Sequence, residues 1–115
     1  MWQPYSDLPS NFGITAITFS GGLLKVKIVS EDAHQFSFQE FCTYRVSFES
    51  DIHLSMPKYI PASASFTKES TYIKEFMKIC DPARLPSGLI HSIVMDFSIV
   101  VEILSEEFPK FEPMR

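Results

Sequence analysis

The chain has 115 residues, of which 45% are hydrophobic and 21% are charged, and its formal net charge is −4. This length predicts a single domain over residues 1–115, and the composition excludes a disordered or collagen-like chain. The negative charge argues against binding to nucleic-acid phosphates, and no apolar run reaches the about 20 residues that a membrane span needs.

The first third of the sequence predicts an N-terminal segment followed by a hairpin. Residues 1–12 contain two prolines and predict an irregular lead-in, held to the body by aromatic side chains. Residues 14–19 are β-branched and aromatic and predict a strand. Gly21 and Gly22 predict a tight turn, because glycine readily adopts positive φ. Residues 23–29 alternate apolar side chains with lysines, which predicts an antiparallel strand with one buried face.

A long alternation covers residues 34–48. The even positions predict a buried face and the odd positions a solvent face, with two exceptions, Glu40 and Phe41. Two adjacent exceptions predict a bulge or a break between two strands at residues 39–41. The alternative is that Glu40 is a carboxylate buried for a functional reason.

The second half predicts a loop, a helix and a terminal hairpin. Residues 51–65 are rich in Pro, Ser and Ala and predict a crossover loop. Residues 66–80 carry an apolar stripe at three- and four-residue steps, which predicts a helix capped by Ser65 or Thr67. Two apolar strands follow, 89–95 and 98–104, with Asp96 at the tip between them.

This order of elements predicts an α+β fold. We expect one curved antiparallel sheet of five or six strands packed on the single helix at residues 66–80. Because one helix covers only part of such a sheet, the sheet should curve toward a half-barrel to bury the remainder.

The two cysteines bear on the compartment. Cys42 and Cys80 both lie among large apolar residues, so we expect two buried thiols without a disulfide. Residues 1–7 have neither the basic nor the apolar region of a signal peptide. Reduced thiols and the lack of an export signal together predict a cytoplasmic protein.

Local motifs for chemistry are missing from the sequence. It contains no glycine-rich phosphate loop, no HExxH and no CxxC, and each of its three histidines stands alone. We therefore predict no catalytic, cofactor-binding or metal-binding residues and no cofactor. A triad assembled from distant positions leaves no such motif, because its members meet only in the fold.

Two stretches carry a resemblance to a known group. Residues 41–51 contain the strand end YRVSFES, and residues 93–109 contain the hairpin ending VVEILSEEFP. Together they resemble small immunity proteins of bacterial polymorphic-toxin and contact-dependent growth inhibition systems. The resemblance implies a cytoplasmic protein that is not an enzyme and that binds and neutralises a cognate toxin domain, with no nucleic-acid or membrane partner.

The resemblance and the distribution of acids also supply candidate contacts. Toxin domains that attack RNA or DNA are often basic, so an acidic antidote suits them. The candidate partner-binding residues are Arg45, Glu49 and Asp51 from the first stretch, Glu102, Glu106 and Glu107 from the second, and Asp96 at the hairpin tip.

Two other function classes remain open at this point. A small-molecule or lipid-binding domain would have an apolar cavity between sheet and helix, lined by Phe36, Phe38, Phe76 and Phe97. A small enzyme would use Glu40 and a histidine. A large enclosed apolar pocket would favour the former, and a buried Glu–His pair in a cleft would favour the latter.

Overall fold

Strands dominate the computed structural model, which describes residues 2–5, 8, 11–48, 63–84, 86, 88–96 and 98–114. One α-helix, α1 (Thr71–Ile79), and a short 3-10 turn (Pro82–Arg84) complete the elements of these ranges. The strands are β1 (Gln3–Pro4), β2 (Gly13–Ser20), β3 (Leu23–Val29), β4 (Ala33–Phe38), β5 (Phe41–Phe48), β6 (Ala64–Thr67), β7 (Ile90–Met95), β8 (Ile99–Ser105) and β9 (Lys110–Pro113).

The strands form two antiparallel sheets. One has five strands in the order β1-β6-β7-β8-β5, and the other has four in the order β2-β3-β4-β9. The predicted α+β class with antiparallel pairing is confirmed. The prediction of one sheet is wrong, because the strands divide between two sheets that pack face to face and do not close into a barrel.

The division between the sheets falls at the predicted irregularity. Strand β4 belongs to the four-stranded sheet and β5 to the five-stranded one, so the chain changes sheets at Gln39 and Glu40. Glu40 is exposed and has a φ of 53°, in the left-handed region that non-glycine residues seldom occupy. A register shift follows between Phe41 and Thr43. The predicted break is confirmed, and Glu40 is not a buried carboxylate.

The main core lies between the two sheets. The side of the five-stranded sheet that meets the four-stranded sheet is called its inner face here, and the opposite side its outer face. Each large apolar side chain buried in this layer stabilises the fold by about 1.5–3 kcal/mol. The central residues, all at most 1% exposed, are Leu24, Val26, Ile28, Phe36 and Phe38 from the four-stranded sheet and Val94, Val101 and Ile103 from the five-stranded one.

Helix α1 contacts the outer face beside β7. It begins at Thr71 rather than at residue 66, because residues 64–67 pair with β7 as strand β6. The predicted caps, Ser65 and Thr67, are therefore buried strand residues, and the N-cap is Ser70, whose Oγ accepts the backbone N–H of Ile73 at 3.1 Å.

The predictions for the crossover loop and for the N-terminal lead-in also need correction. Ala64 and Ser65 belong to β6 rather than to the predicted crossover loop, and residues 49–62 lie outside the described ranges. Part of the predicted N-terminal lead-in pairs as β1 with β6, while Phe12 is buried in the core. Within the described residues, no helix is both long and apolar enough to cross a membrane.

The cysteine prediction is half right. Neither Cys42 nor Cys80 forms a disulfide, as expected, but Cys42 is exposed and Cys80 is only partly buried. Among the even positions of the alternation, Phe36 and Phe38 of β4 are buried, whereas all those of β5 are exposed. Strand β5 is the last strand of its sheet, so its inner-face side chains extend past the cover of the four-stranded sheet.

Candidate functional site

A buried carboxylate organises the outer face of the five-stranded sheet. Glu102 of β8 is 3% exposed and lies opposite Arg45 of β5. Arg45 Nε donates to Glu102 Oε2 at 2.6 Å, and Nη2 donates to Oε1 at 3.1 Å. His91 of β7 places its Nε2 2.9 Å from the same Oε1. Three strands thus bring one acid and two nitrogen side chains together.

The arrangement extends from His91 to the start of the helix. Nδ1 of His91 lies 2.8 Å from Oγ of Ser70, the N-cap of α1. Trp2 and Tyr72 contact the His91 ring with their centroids 4.8 and 5.1 Å away, both edge to face. We call the set Arg45, Glu102, His91 and Ser70 the polar network.

The charges in the polar network stabilise one another. Burial by itself raises the pKa of Glu102, but the hydrogen bonds from His91 and Arg45 and the positive charge of Arg45 outweigh it and lower that pKa below its ordinary value. Hydrogen bonding to Glu102 in turn raises the pKa of Arg45. The guanidinium also lies over the Tyr72 ring, 4.0 Å from its centroid. Glu102 is therefore a carboxylate at neutral pH.

A second feature is an apolar surface at the margin between the two sheets. On β5, the inner-face side chains of Tyr44, Val46 and Phe48 are 41%, 47% and 65% exposed. Phe19 of β2 is 62% exposed, and Phe41 contacts both Phe19 and Tyr44 edge to face, at 5.4 and 6.1 Å between ring centroids. These five residues constitute the edge surface.

Acidic residues lie at the end of the edge surface where β5 begins. The backbone N–H of Glu106 donates to the carbonyl of Glu40 at 3.4 Å, and both side chains are exposed. The neighbouring Glu107 is exposed as well. Burial raises the pKa of the Cys42 thiol, and the negative charges of Glu106 and Glu40 raise it further.

The candidate partner-binding residues predicted from sequence separate into distinct groups. Glu102 is buried and paired with Arg45, so it is not a surface charge. Asp96 accepts backbone N–H groups from Ile14, Ser98 and Ile99, so its carboxylate holds the β7–β8 turn and ties it to β2.

The remaining candidates differ in accessibility. Glu106 and Glu107 are exposed and available to a partner, whereas Glu49 and Asp51 lie outside the described residues. Sequence reasoning passed over Tyr44, Val46 and Phe48 of the edge surface because the alternation of residues 34–48 predicted a buried face for them. It also passed over Ser70 and His91, whose partners are far away in the chain.

The three described phenylalanines proposed for a ligand cavity do not share one. Phe36 and Phe38 are buried between the sheets, Phe76 lies on the helix beyond the outer face, and Phe97 is outside the described residues. One described cleft of about 450 Å³ is lined by Gln3, Phe66, Thr67, Lys68, Glu69 and Phe108, and another of about 340 Å³ by Asn11, Phe12, Gly13, Asp96 and Ser98.

The polar network differs from the enzyme hypothesis framed on the sequence. The buried Glu–His pair consists of Glu102 and His91, and Glu40 is exposed in a turn. In the described part of the chain, no cluster of three or more His, Cys, Asp or Glu side chains is arranged to hold a metal ion.

Comparison of the chain with protein-family models, with curated proteins and with solved structures found no match.

Proposed function

We propose that the protein is an immunity protein that binds and neutralises a basic bacterial toxin domain in the cytoplasm, through its edge surface. The observation that carries this proposal is the exposure of Phe19, Tyr44, Val46 and Phe48 side by side at the margin of the sandwich. The sequence resemblance of residues 41–51 and 93–109 supplies the class of partner.

The edge surface has the composition of an interface centre. Protein interfaces are enriched in aromatic residues, and a few desolvated anchors supply most of the affinity. Phe19, Phe41 and Tyr44 form a run of edge-to-face rings that a partner would cover together. Inhibition by such a contact needs no catalysis, because a bound protein excludes substrate by its bulk.

The charges beside the edge surface favour a basic partner. Glu40 and Glu106 adjoin one end of the surface, Glu107 follows in sequence, and the chain as a whole carries −4. Opposite charges raise the rate of encounter and orient the two proteins, while the desolvated apolar contacts determine how slowly the complex dissociates.

The apolar part of the proposal predicts a large loss of affinity from a single buried charge. Val46→Asp should weaken binding to the toxin domain encoded directly upstream by about 30-fold or more, mainly through faster dissociation. The matched control is Val29→Asp, because Val29 is 40% exposed on the face of β3 opposite its core residues Val26 and Ile28. Surface plasmon resonance measures both variants. Equal affinities for the two would contradict the edge surface as the interface.

The acidic part predicts a smaller, salt-dependent change. Glu106→Lys combined with Glu107→Lys should slow association at low salt, and the difference from the unmodified protein should shrink as salt screens the charges.

The control for this variant is Glu31→Lys with Asp32→Lys, the same charge reversal in the β3–β4 turn. The pairing of Leu24 with Phe38 and of Val29 with Ala33 places that turn at the end of the sheet opposite Glu40. Identical association rates for the two double variants across a salt series would contradict a contribution of Glu106 and Glu107 to binding. If the unmodified protein does not bind the toxin domain, the immunity hypothesis is wrong.

A further inference from the structure

The polar network contains the parts of an activated serine. Ser70, His91 and Glu102 come from the helix start, β7 and β8 and are joined in a line by contacts of 2.8 and 2.9 Å. His91 and Glu102 are each 3% exposed, whereas Ser70 at the end of the line is partly exposed. The base and its acid are thus shielded from water while the hydroxyl lies nearer the surface.

The charge state of Glu102 fixes which nitrogen of His91 carries the proton. A carboxylate that already receives two bonds from Arg45 accepts hydrogen bonds and donates none, so His91 Nε2 must donate to it. When the imidazole carries a single proton, its Nδ1 is then unprotonated, and the Ser70 hydroxyl donates to it. This tautomer is the one in which imidazole can remove the proton of the serine.

The surroundings of Ser70 favour its alkoxide. The backbone N–H of Ile73 donates to Oγ at 3.1 Å, and Oγ lies at the N-terminus of α1, where the helix dipole is positive. The N–H groups of Thr71 and Tyr72 stand in the first turn and have no intrahelical acceptor. These backbone N–H groups can donate hydrogen bonds to negative charge that develops on Oγ or on an oxygen of the group attached to it.

We propose that Ser70 is a nucleophile activated by His91 and oriented by Glu102, at a site that takes carboxylic esters or other activated acyl groups. Ser70 Oγ attacks the acyl carbon while its proton passes to His91 Nδ1. The carbonyl electron pair returns, the bond from carbon to the leaving oxygen breaks, and His91 protonates the departing alkoxide. Water then attacks the acyl-serine by the reverse proton transfers, which releases the acid and restores Ser70.

This activity is independent of the proposed partner binding, because the polar network lies on the outer face and the edge surface belongs to the inner face. Variants of Ser70 should therefore leave the toxin interaction unchanged, and failure of either proposal leaves the other standing.

The test uses a fluorophosphonate, whose phosphorus accepts an activated serine oxygen and releases fluoride. Intact mass and peptide mapping of the full chain should show one adduct, on Ser70, and none on the exposed Ser98. Ser70→Asn retains a good N-cap but has no hydroxyl, so it should fold and remain unlabelled. His91→Gln should label about 10²-fold to 10⁴-fold more slowly.

A further variant separates activation from structural support. Glu102→Gln replaces an obligate acceptor with an amide that can donate to Nε2, which favours the tautomer with its proton on Nδ1. Labelling should slow and its pH profile should shift, while circular dichroism stays unchanged. An absence of labelling in the unmodified protein, or a rate that His91→Gln leaves unaltered, would overturn the proposal and identify the polar network as structural support for the helix.

Discussion

The inner and outer faces of the five-stranded sheet place neighbouring residues of one strand in opposite environments. Val101 and Ile103 of β8 enter the dry core between the sheets, and Glu102 between them enters the polar network. Around Val101 and Ile103 the inner face is covered by the four-stranded sheet, whereas a nine-residue helix with no fully buried side chain covers part of the outer face.

The difference shows how the extent of cover decides which side chains a face can hold. A charged side chain buried beneath a complete sheet would lose its hydration. This desolvation is costly even when the charge is paired with an opposite one. On the outer face, Arg45 keeps 43% of its side chain exposed while it neutralises Glu102. Partial cover therefore permits a charged acid at the centre of a sheet.

The largest expected effect tests the core that the inner face shares with the four-stranded sheet. Phe36→Ala removes a ring that is 1% exposed and leaves a cavity between the sheets, so it should lower the free energy of unfolding by about 3–5 kcal/mol. Phe48→Ala, at 65% exposure, is the matched control and should change it by about 0.5 kcal/mol or less. Urea denaturation measures both, and similar losses would contradict the difference in burial between Phe36 in the core and Phe48 at the margin.

The outer face should respond to the loss of its charge and to acid. Glu102→Gln should lower the free energy of unfolding by about 2 kcal/mol at neutral pH, because Arg45 loses a charged acceptor. The folded-state pKa of Glu102 is below the unfolded one, so this stabilisation is complete above the unfolded pKa, about 4.3.

Stabilisation by Glu102 is lost as the pH falls through the folded-state pKa, and the two proteins should therefore converge in stability in strong acid. Denaturation midpoints of the unmodified protein and of Glu102→Gln, measured at a series of decreasing pH values, test this convergence. A constant difference between the unmodified protein and Glu102→Gln at every pH would show that the carboxylate charge contributes nothing.

The smallest effect concerns the junction of the outer face with the helix. Ser70→Ala removes the cap of α1 and should cost about 1 kcal/mol, whereas Ser70→Asn should stay within about 0.5 kcal/mol of the unmodified protein. Thermal unfolding of the three proteins distinguishes these values. Equal losses in both variants would assign the cost to the contact with His91 rather than to the cap.

Local pattern predicted most of the individual elements but not their partition into two sheets. The alternation in residues 23–29 predicted the buried face of β3. The exceptions at Glu40 and Phe41 predicted the position of the break between β4 and β5. Periodicity reports which side of a strand is apolar and says nothing about which sheet it joins. The burial of β5 was therefore predicted wrongly, although its alternation is real.

Local sequence patterns could not predict the polar network, because its members are far apart in the chain. Ser70 and His91 are 21 residues apart, and Arg45 and Glu102 are 57. One signal was available: Glu102 interrupts the apolar run of residues 99–104. A lone acid in a strand with apolar residues on both faces must find a cation when it is buried. The sequence does not say which cation.

The change of sheets at Glu40 has a kinetic consequence. Strands β2, β3 and β4 pair through tight connections, so this meander can form within microseconds once its residues exist. The opposite wall of the core needs β7 and β8, which follow some fifty residues later in the chain. During synthesis, Leu24, Phe36 and Phe38 therefore remain exposed to solvent until β7 and β8 have been made. The chain is most prone to aggregate during this interval.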